Sequence, residues 1–237
     1  MTASKTQAKP MHVVFIFDRS GSMSGHEQDV IGGFNTYVEE LKKEAGDVGV
    51  TYVRFDTEVE RVWIDLELAD VPFMTPANYQ PRGGTALYDA VGQTIAALKD
   101  KPGHTFVIIT HTDGEENSSH EWTQEKVKAL VTERTALGNW TFLFFGQGFD
   151  KWHAEVGSQG MAMAGGNTVA YNHGAGKIMM ATAGRVSNVM RGANLSGTQT
   201  YNVAMDAALA GASDVEIEQI LKGEKADELF DNSSAEG

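Results

Sequence analysis

The chain has 237 residues, 41% of them hydrophobic, a size that allows one large core and excludes two generous domains joined by a linker. It contains 0 cysteines, which removes disulfides, thiolate nucleophiles and cysteine-held zinc or iron–sulfur sites, so any metal must sit on oxygen or histidine. A net charge of -13 with no basic stripe opposes both nucleic acid and anionic membranes as partners.

Residues 1–11 read as a flexible N-terminus without the apolar core of a secretory signal. No later run approaches the ~20 apolar residues of a membrane helix. A cytoplasmic protein is expected. Val13 to Phe17 are five consecutive β-favouring residues within Met11–Phe17, which predicts a central strand covered on both faces. Val30, Phe34, Tyr37, Val38 and Leu41 then fall on one side of a helix that ends near Gly46. Val48–Phe55 and Val59–Leu66 are joined only by Asp56, Thr57 and Glu58, too short a link for a parallel crossover, so they predict an antiparallel hairpin. Pro72, Pro76 and Pro81 punctuate a loop that reaches Gly83-Gly84-Thr85, and Thr85 is expected to open a second helix carrying Leu87, Val91, Ile95 and Leu98.

Thr105–Thr110 is a further buried strand, Glu121–Leu137 a helix through Val127, Leu130 and Val131, and Asn139–Phe145 an aromatic-rich strand. A short helix at Lys151–Val156, a weak strand at Thr168–Tyr171 and a helix over Gly174–Met190 complete the alternation. The series predicts an α/β fold, a doubly wound, mostly parallel open sheet with helices on both faces. Residues 193–237 turn polar and acidic. They hold one short helix near 213–222, where Ser213 and Glu216 are spaced as a capping box and Gly223 supplies a stop.

In such sheets ligands gather beyond the carboxyl ends of the strands, where the winding reverses. Asp18 follows the first strand in DRSGSMSG, and Asp113 follows the Thr105–Thr110 strand in THTDGEENSS. Ser20 and Ser22 lie two and four residues past Asp18, and Thr85 faces them from the Gly83-Gly84 loop. Taken singly, these are a turn or capping loop, a helix N-cap and a turn. Together they bring two carboxylates and three hydroxyls to one edge, a donor set suited to a hard divalent cation: Mg2+ first, then Mn2+ or Ca2+. Only two negative charges offset the ion, which leaves it electrophilic toward an external carboxylate.

DRSGS, GGTALYDA and TDGEENSS resemble the three pieces of the metal-ion-dependent adhesion site of von Willebrand factor A domains, in order and spacing over residues 12–192. The resemblance implies a sheet of about six strands with one antiparallel edge, a bound Mg2+, and a partner's acidic residue as the last ligand. By position, Ser20, Ser22 and Thr85 would be direct or water-bridged ligands, and Asp18 and Asp113 would bind directly or through water. FFGQGFDKW further resembles stand-alone versions from bacteria and their phages. Nearby, Glu115 or Glu116 either closes the site as an internal ligand or faces solvent. His111 packs at a strand end, and Arg19 orients an arriving carboxylate.

The expected function is therefore a metal-dependent protein-interaction module, not an enzyme, cytoplasmic or virion-associated if phage-encoded, whose partner presents an Asp or Glu. The acidic tail offers a route to self-association. One alternative is a structural subunit of a phage particle or stress-response complex, with the ion as a staple. Another is Mg-dependent phosphoryl transfer with Asp18 as nucleophile, opposed by Ser20 standing where a second acid is needed and by the lack of a Lys or Arg clamp.

Overall fold

The computed structural model describes residues 9–44, 46–101, 103–113, 116–146, 168–170 and 176–223. The first strand, β1 (Met11–Asp18), is buried along its whole length, as its unbroken apolar run requires of a strand with helices on both sides. It pairs in parallel with β2 (Val48–Phe55) on one flank and β4 (Thr105–Thr112) on the other. β3 (Val59–Glu67) lies antiparallel to β2, the edge expected from the three-residue link. In that link Glu58 N donates to Asp56 Oδ1 at 2.9 Å, an Asx turn that sets the reversal. β5 (Trp140–Gly146) continues the parallel half beyond β4. The five long strands make a mixed sheet, and a three-residue strand, β6 (Thr168–Ala170), pairs with the end of β5, giving the order β3-β2-β1-β4-β5-β6.

The winding reverses between β1 and β4, so the carboxyl ends of those two strands border the crevice that open α/β sheets use for ligands. On one face α1 (Glu27–Lys42) and α4 (Gly176–Gly192) cover Val13, Phe15 and Phe17. On the other, α2 (Leu87–Ala97) and α3 (Gln124–Ala136) cover Val14 and Ile16. Successive β1 residues thus feed alternate cores, the period-two consequence of a pleated strand. Phe15 packs edge-on against Phe34 and Tyr37 of α1, with ring centroids 4.8 and 5.3 Å apart.

Two features differ from the sequence reading. Thr85 does not open α2: the helix begins at Leu87 behind Ala86, and the Thr85 carbonyl is held outside it by tertiary hydrogen bonds. The region after residue 192 is also more than a polar tail with one helix. The expected helix, α6 (Asp214–Leu221), is present with its Ser213–Glu216 capping box, but α5 (Thr198–Leu209) precedes it. Tyr201, Ala204 and Met205 of α5, and Ile217 of α6, lie in the core beside α1 and α4. A buried hydroxyl chain fixes the arrangement: Tyr37 and Ser187 meet at 2.6 Å, Ser187 and Tyr201 at 2.9 Å. The helix expected at residues 151–156 lies outside the described residues. Among those that are described, no helix is long and apolar enough to cross a membrane.

Candidate metal centre

Asp18 closes β1 and is fully buried. Its Oδ1 accepts from the Ser20 amide at 2.7 Å, and its Oδ2 accepts from the Thr112 hydroxyl at the end of β4, also at 2.7 Å. The Tyr79 hydroxyl donates to its backbone carbonyl. No Lys, Arg or His forms an ion pair with this carboxylate among the described residues. Burial pushes the Asp18 pKa up to about 6, against the hydrogen bonds from Thr112 and Ser20, and the negative charge of Asp113 adds to the rise. Asp113, half-buried one residue past β4, therefore acts electrostatically on the same point.

After Asp18 the chain turns through a short 3-10 helix, Gly21–Met23, in which Met23 N donates to Ser20 O at 3.1 Å. The turn brings the Ser20 and Ser22 hydroxyls to 3.0 Å of each other; Ser20 is buried and Ser22 exposed. A run from the deep carboxylate outward through two hydroxyls is the result.

Backbone contacts fasten the second loop to the first. Arg82 N donates to Arg19 O at 2.7 Å, and Gly21 N to Gly83 O at 3.1 Å. Gly83 has φ +67, which a side chain would strain, and a Cβ on Gly84 would come within 2.3 Å of the Ser118 hydroxyl. Thr85, buried next to them, is where the third loop attaches. Its carbonyl accepts from Asn117 N and Ser118 N at 3.0 and 3.1 Å, and its amide donates to Asn117 Oδ1 at 2.8 Å.

Two carboxylates outside the five expected ligands fix the third loop to α2. Glu116 accepts from the amides of Tyr88, Ser118 and Ser119 at 3.0, 3.0 and 2.8 Å, and from the Ser119 hydroxyl at 2.8 Å. Asp89 accepts from the amides of His120, Glu121 and Trp122 at 2.8, 2.9 and 2.7 Å. Glu116 is therefore a brace at the start of α2, neither an internal ligand nor a solvent-facing charge. Glu115 lies outside the described residues. The bond from Tyr88 N to Glu116 joins segments far apart in the chain, which no local sequence pattern signals.

Arg19 also departs from the expectation of orienting a carboxylate. It is buried, with Nε 2.9 Å from Asp56 Oδ2 at an angle that misses hydrogen-bond geometry, and Nη2 3.1 Å from Glu60 Oε2. His111 packs against Phe17 with ring centroids 5.6 Å apart, and burial, aided by the charge of His26, lowers its pKa to about 4. A histidine so placed is neutral at pH 7.

As a metal centre the site depends on hydroxyl donors. Among the described residues no group of three or more His, Cys, Asp or Glu side chains is gathered as a metal would need. The two carboxylates and the two neighbouring serine hydroxyls suit a hard oxygen-loving cation and no soft one.

Comparison with known proteins follows the sheet. Similar solved structures include a von Willebrand factor type A protein from Catenulispora acidiphila, 17% identical, with a TM-score of 0.53 over 76% of this chain and 43% of that one. The fold is an α/β fold similar to that of a von Willebrand factor type A protein. The open conformation of the pilus adhesin SpaC from Lactobacillus rhamnosus GG is 14% identical, with a TM-score of 0.63 over 79% of this chain and 31% of that one. The PilB minor pilin from Streptococcus sanguinis is 14% identical, with a TM-score of 0.57 over 78% of this chain and 62% of that one. This chain thus spans less than two thirds of each of those proteins. No protein-family model matches the sequence, and no curated protein does.

Proposed function

We propose that Asp18, Ser20, Ser22, Thr85 and Asp113 hold a Mg2+ ion at the crevice between β1 and β4, and that the chain is a protein-interaction module recognising a carboxylate of its partner. The observation that carries this reading is the buried Asp18 carboxylate, which has no ion-pair partner among the described residues, feels the charge of Asp113, and bonds to Ser20, whose hydroxyl lies 3.0 Å from that of Ser22. A charge so placed costs several kcal/mol unless a cation accompanies it. Bound there, the ion would supply an electrophilic coordination position to an Asp or Glu oxygen of the partner. Mn2+ and Ca2+ are the alternative occupants.

The chain's own residues prepare the site. Thr112 and the Ser20 amide orient Asp18, the Ser20–Gly21–Ser22 turn presents the hydroxyls, and Glu116 and Asp89 hold the Asp113 loop against α2. Because all three loops are already fastened to one another by protein hydrogen bonds, an ion is not needed as a staple. This favours an interaction role over a purely structural metal. The pilus adhesin and the minor pilin among the similar folds accord with an interaction role. Enzymatic turnover is not part of this reading: Ser20 stands where a second acid beside Asp18 would be needed, and Arg19, next to Asp18 in sequence, is committed to Asp56 and Glu60. We keep a cytoplasmic or virion-associated location as part of the same proposal.

Self-association through the acidic tail finds less support. Asp214 pairs with Arg185, Glu216 caps α6 and Glu218 pairs with Lys222, so these three acids are engaged locally. Residues 224–237 lie outside the described residues. The decisive test is partner capture on the immobilised chain with Mg2+ and with chelator. Retention should require Mg2+ and be lost in the Ser20→Ala/Ser22→Ala double variant. Equal retention with chelator would refute the docking role, and turnover of a phosphoester panel would favour the enzyme instead.

A further inference from the structure

Beside the candidate centre three arginines, Arg19 after β1, Arg54 in β2 and Arg82 on the loop that leads to Thr85, share two carboxylates, Asp56 and Glu60. Arg54 gives Nε and Nη2 to Glu60 at 3.0 and 2.8 Å. Arg19 lies between Glu60 and Asp56. Arg82 donates its Nε to Asp56 Oδ2 at 2.7 Å. Side-chain exposure separates them: 7% for Arg19 and 19% for Arg54, but 60% for Arg82. The positive charge in excess of Asp56 and Glu60 therefore sits on the exposed member. Glu58, exposed on the same turn, acts on Arg82 through its charge but forms no ion pair with it among the described residues.

Arg82 is held as a receptor group would be. Its amide is bonded to Arg19 O, immediately before Ser20, and its Nε is fixed by Asp56, while Nη1 and Nη2 make no bond among the described residues. The terminal fork of a guanidinium anchored in this way is already oriented for a second carboxylate, and little side-chain freedom is lost on binding. Thr85 is three residues further on, and the neighbouring Gly83 carbonyl accepts from Gly21 N between Ser20 and Ser22, so the loop that carries Arg82 borders the centre.

Net charge sharpens the point. The chain carries -13, so an acidic partner meets general repulsion. A doubly charged ion between Asp18 and Asp113 is formally neutralised by them. Arg82, on the loop bonded to the turn after Asp18, is an exposed cation that offsets the repulsion. Resting on the docking function proposed above, we infer that the partner presents a pair of carboxylates rather than one, the first to the ion and the second to Arg82. In an extended segment, acidic residues at i and i+2 lie on one face about 7 Å apart, so one short segment can offer both carboxylates to adjoining loops. Arg82 is thus a specificity residue for an acidic pair.

The test uses the full chain with saturating Mg2+ and two blocked peptides, Gly-Gly-Glu-Gly-Gly and Gly-Glu-Gly-Glu-Gly, titrated by NMR while the Arg82 Nε–Hε resonance is followed. The wild-type chain should bind the two-glutamate peptide about tenfold more tightly, and the Arg82 resonance should shift with that peptide only. In Arg82→Gln the preference should fall to the roughly twofold statistical factor, with Arg82→Lys intermediate because it keeps charge but loses the fork. Both variants should retain the wild-type thermal response to Mg2+, which separates loss of preference from misfolding. A full preference surviving in Arg82→Gln, or no preference in the wild type, would overturn the inference and leave the docking function standing. A wild-type chain that binds neither peptide with Mg2+ present would overturn both.

Discussion

Two aspartates at opposite ends of the strands show how differently one side chain can be treated. Asp65, at the end of β3 remote from the crevice, has Lys101 Nζ 3.0 Å from Oδ2 and His12 Nδ1 3.6 Å from Oδ1. The Lys101 hydrogen bond outweighs desolvation and, with the charge of His12, holds the Asp65 pKa below the ordinary carboxylate value. Asp18 is more deeply buried, has only neutral donors and stands near another acid, so its pKa moves the opposite way. The protein gives one carboxylate a cationic partner and, among the described residues, gives the other none. That contrast is the physical basis for reading the Asp18 end as a binding site and the Asp65 end as structure.

The largest expected effect comes from removing the braces that make the crevice rigid. Asp89→Ala strands the amides of His120, Glu121 and Trp122 and should destabilise the chain by about 3 kcal/mol in urea titrations. A change below about 1 kcal/mol would mean that the loop carrying Asp113 is held some other way. Next is the comparison itself. Without divalent metal, Asp18→Asn should be neutral or stabilise by about 1–3 kcal/mol, since it removes an uncompensated buried charge while an amide can still meet Ser20 N and Thr112. Asp65→Asn should instead destabilise, by no more than about 1 kcal/mol because its side chain is 46% exposed. Opposite signs are the signature; equal losses at both positions would erase the distinction.

A smaller effect concerns pH at the remote end. His12 is buried with Nε2 2.8 Å from Thr51 Oγ1, and desolvation lowers its pKa, partly opposed by Asp65 and reinforced by Lys101 and His104. Because its folded pKa lies below the unfolded value of 6.5, the unfolded chain takes up the proton first. The contribution of neutral His12 is therefore intact above that value and is lost as pH falls through it. Unfolding titrations from neutral to mildly acid pH should show a decline that is reduced in His12→Gln; an unchanged slope would dissociate His12 from it.

The central strand and both cores were legible because Val13 to Phe17 form an unbroken β-favouring run whose alternate residues must face two helical layers. The hairpin was legible from the length of the Asp56–Glu58 link. Long-range bonds hid the rest. Thr85 stands where a helix cap is expected, yet Asn117 and Ser118 reach across from the third loop and hold it outside α2. α5 escaped notice because much of its apolar face is alanine, at positions 204, 207 and 208, behind a polar Gly-Thr-Gln-Thr start. At the site, the spacing of Asp18, Ser20 and Ser22 specified their turn. The roles of Thr112, Asp89 and Glu116 rest on contacts between distant segments, which one sequence does not encode in any local pattern.

Thermal unfolding of the metal-free chain during a Mg2+ titration addresses the central claim most directly, with Asp18→Asn measured alongside. Binding to the folded state alone should raise the wild-type Tm with each increment of Mg2+, by about 2.7 kcal/mol of stability at a hundredfold excess over Kd, and the variant should stay flat from an equal or higher starting Tm. A wild-type curve that ignores Mg2+, Mn2+ and Ca2+ alike, or an identical rise in Asp18→Asn, would contradict a cation centre at this end of the sheet.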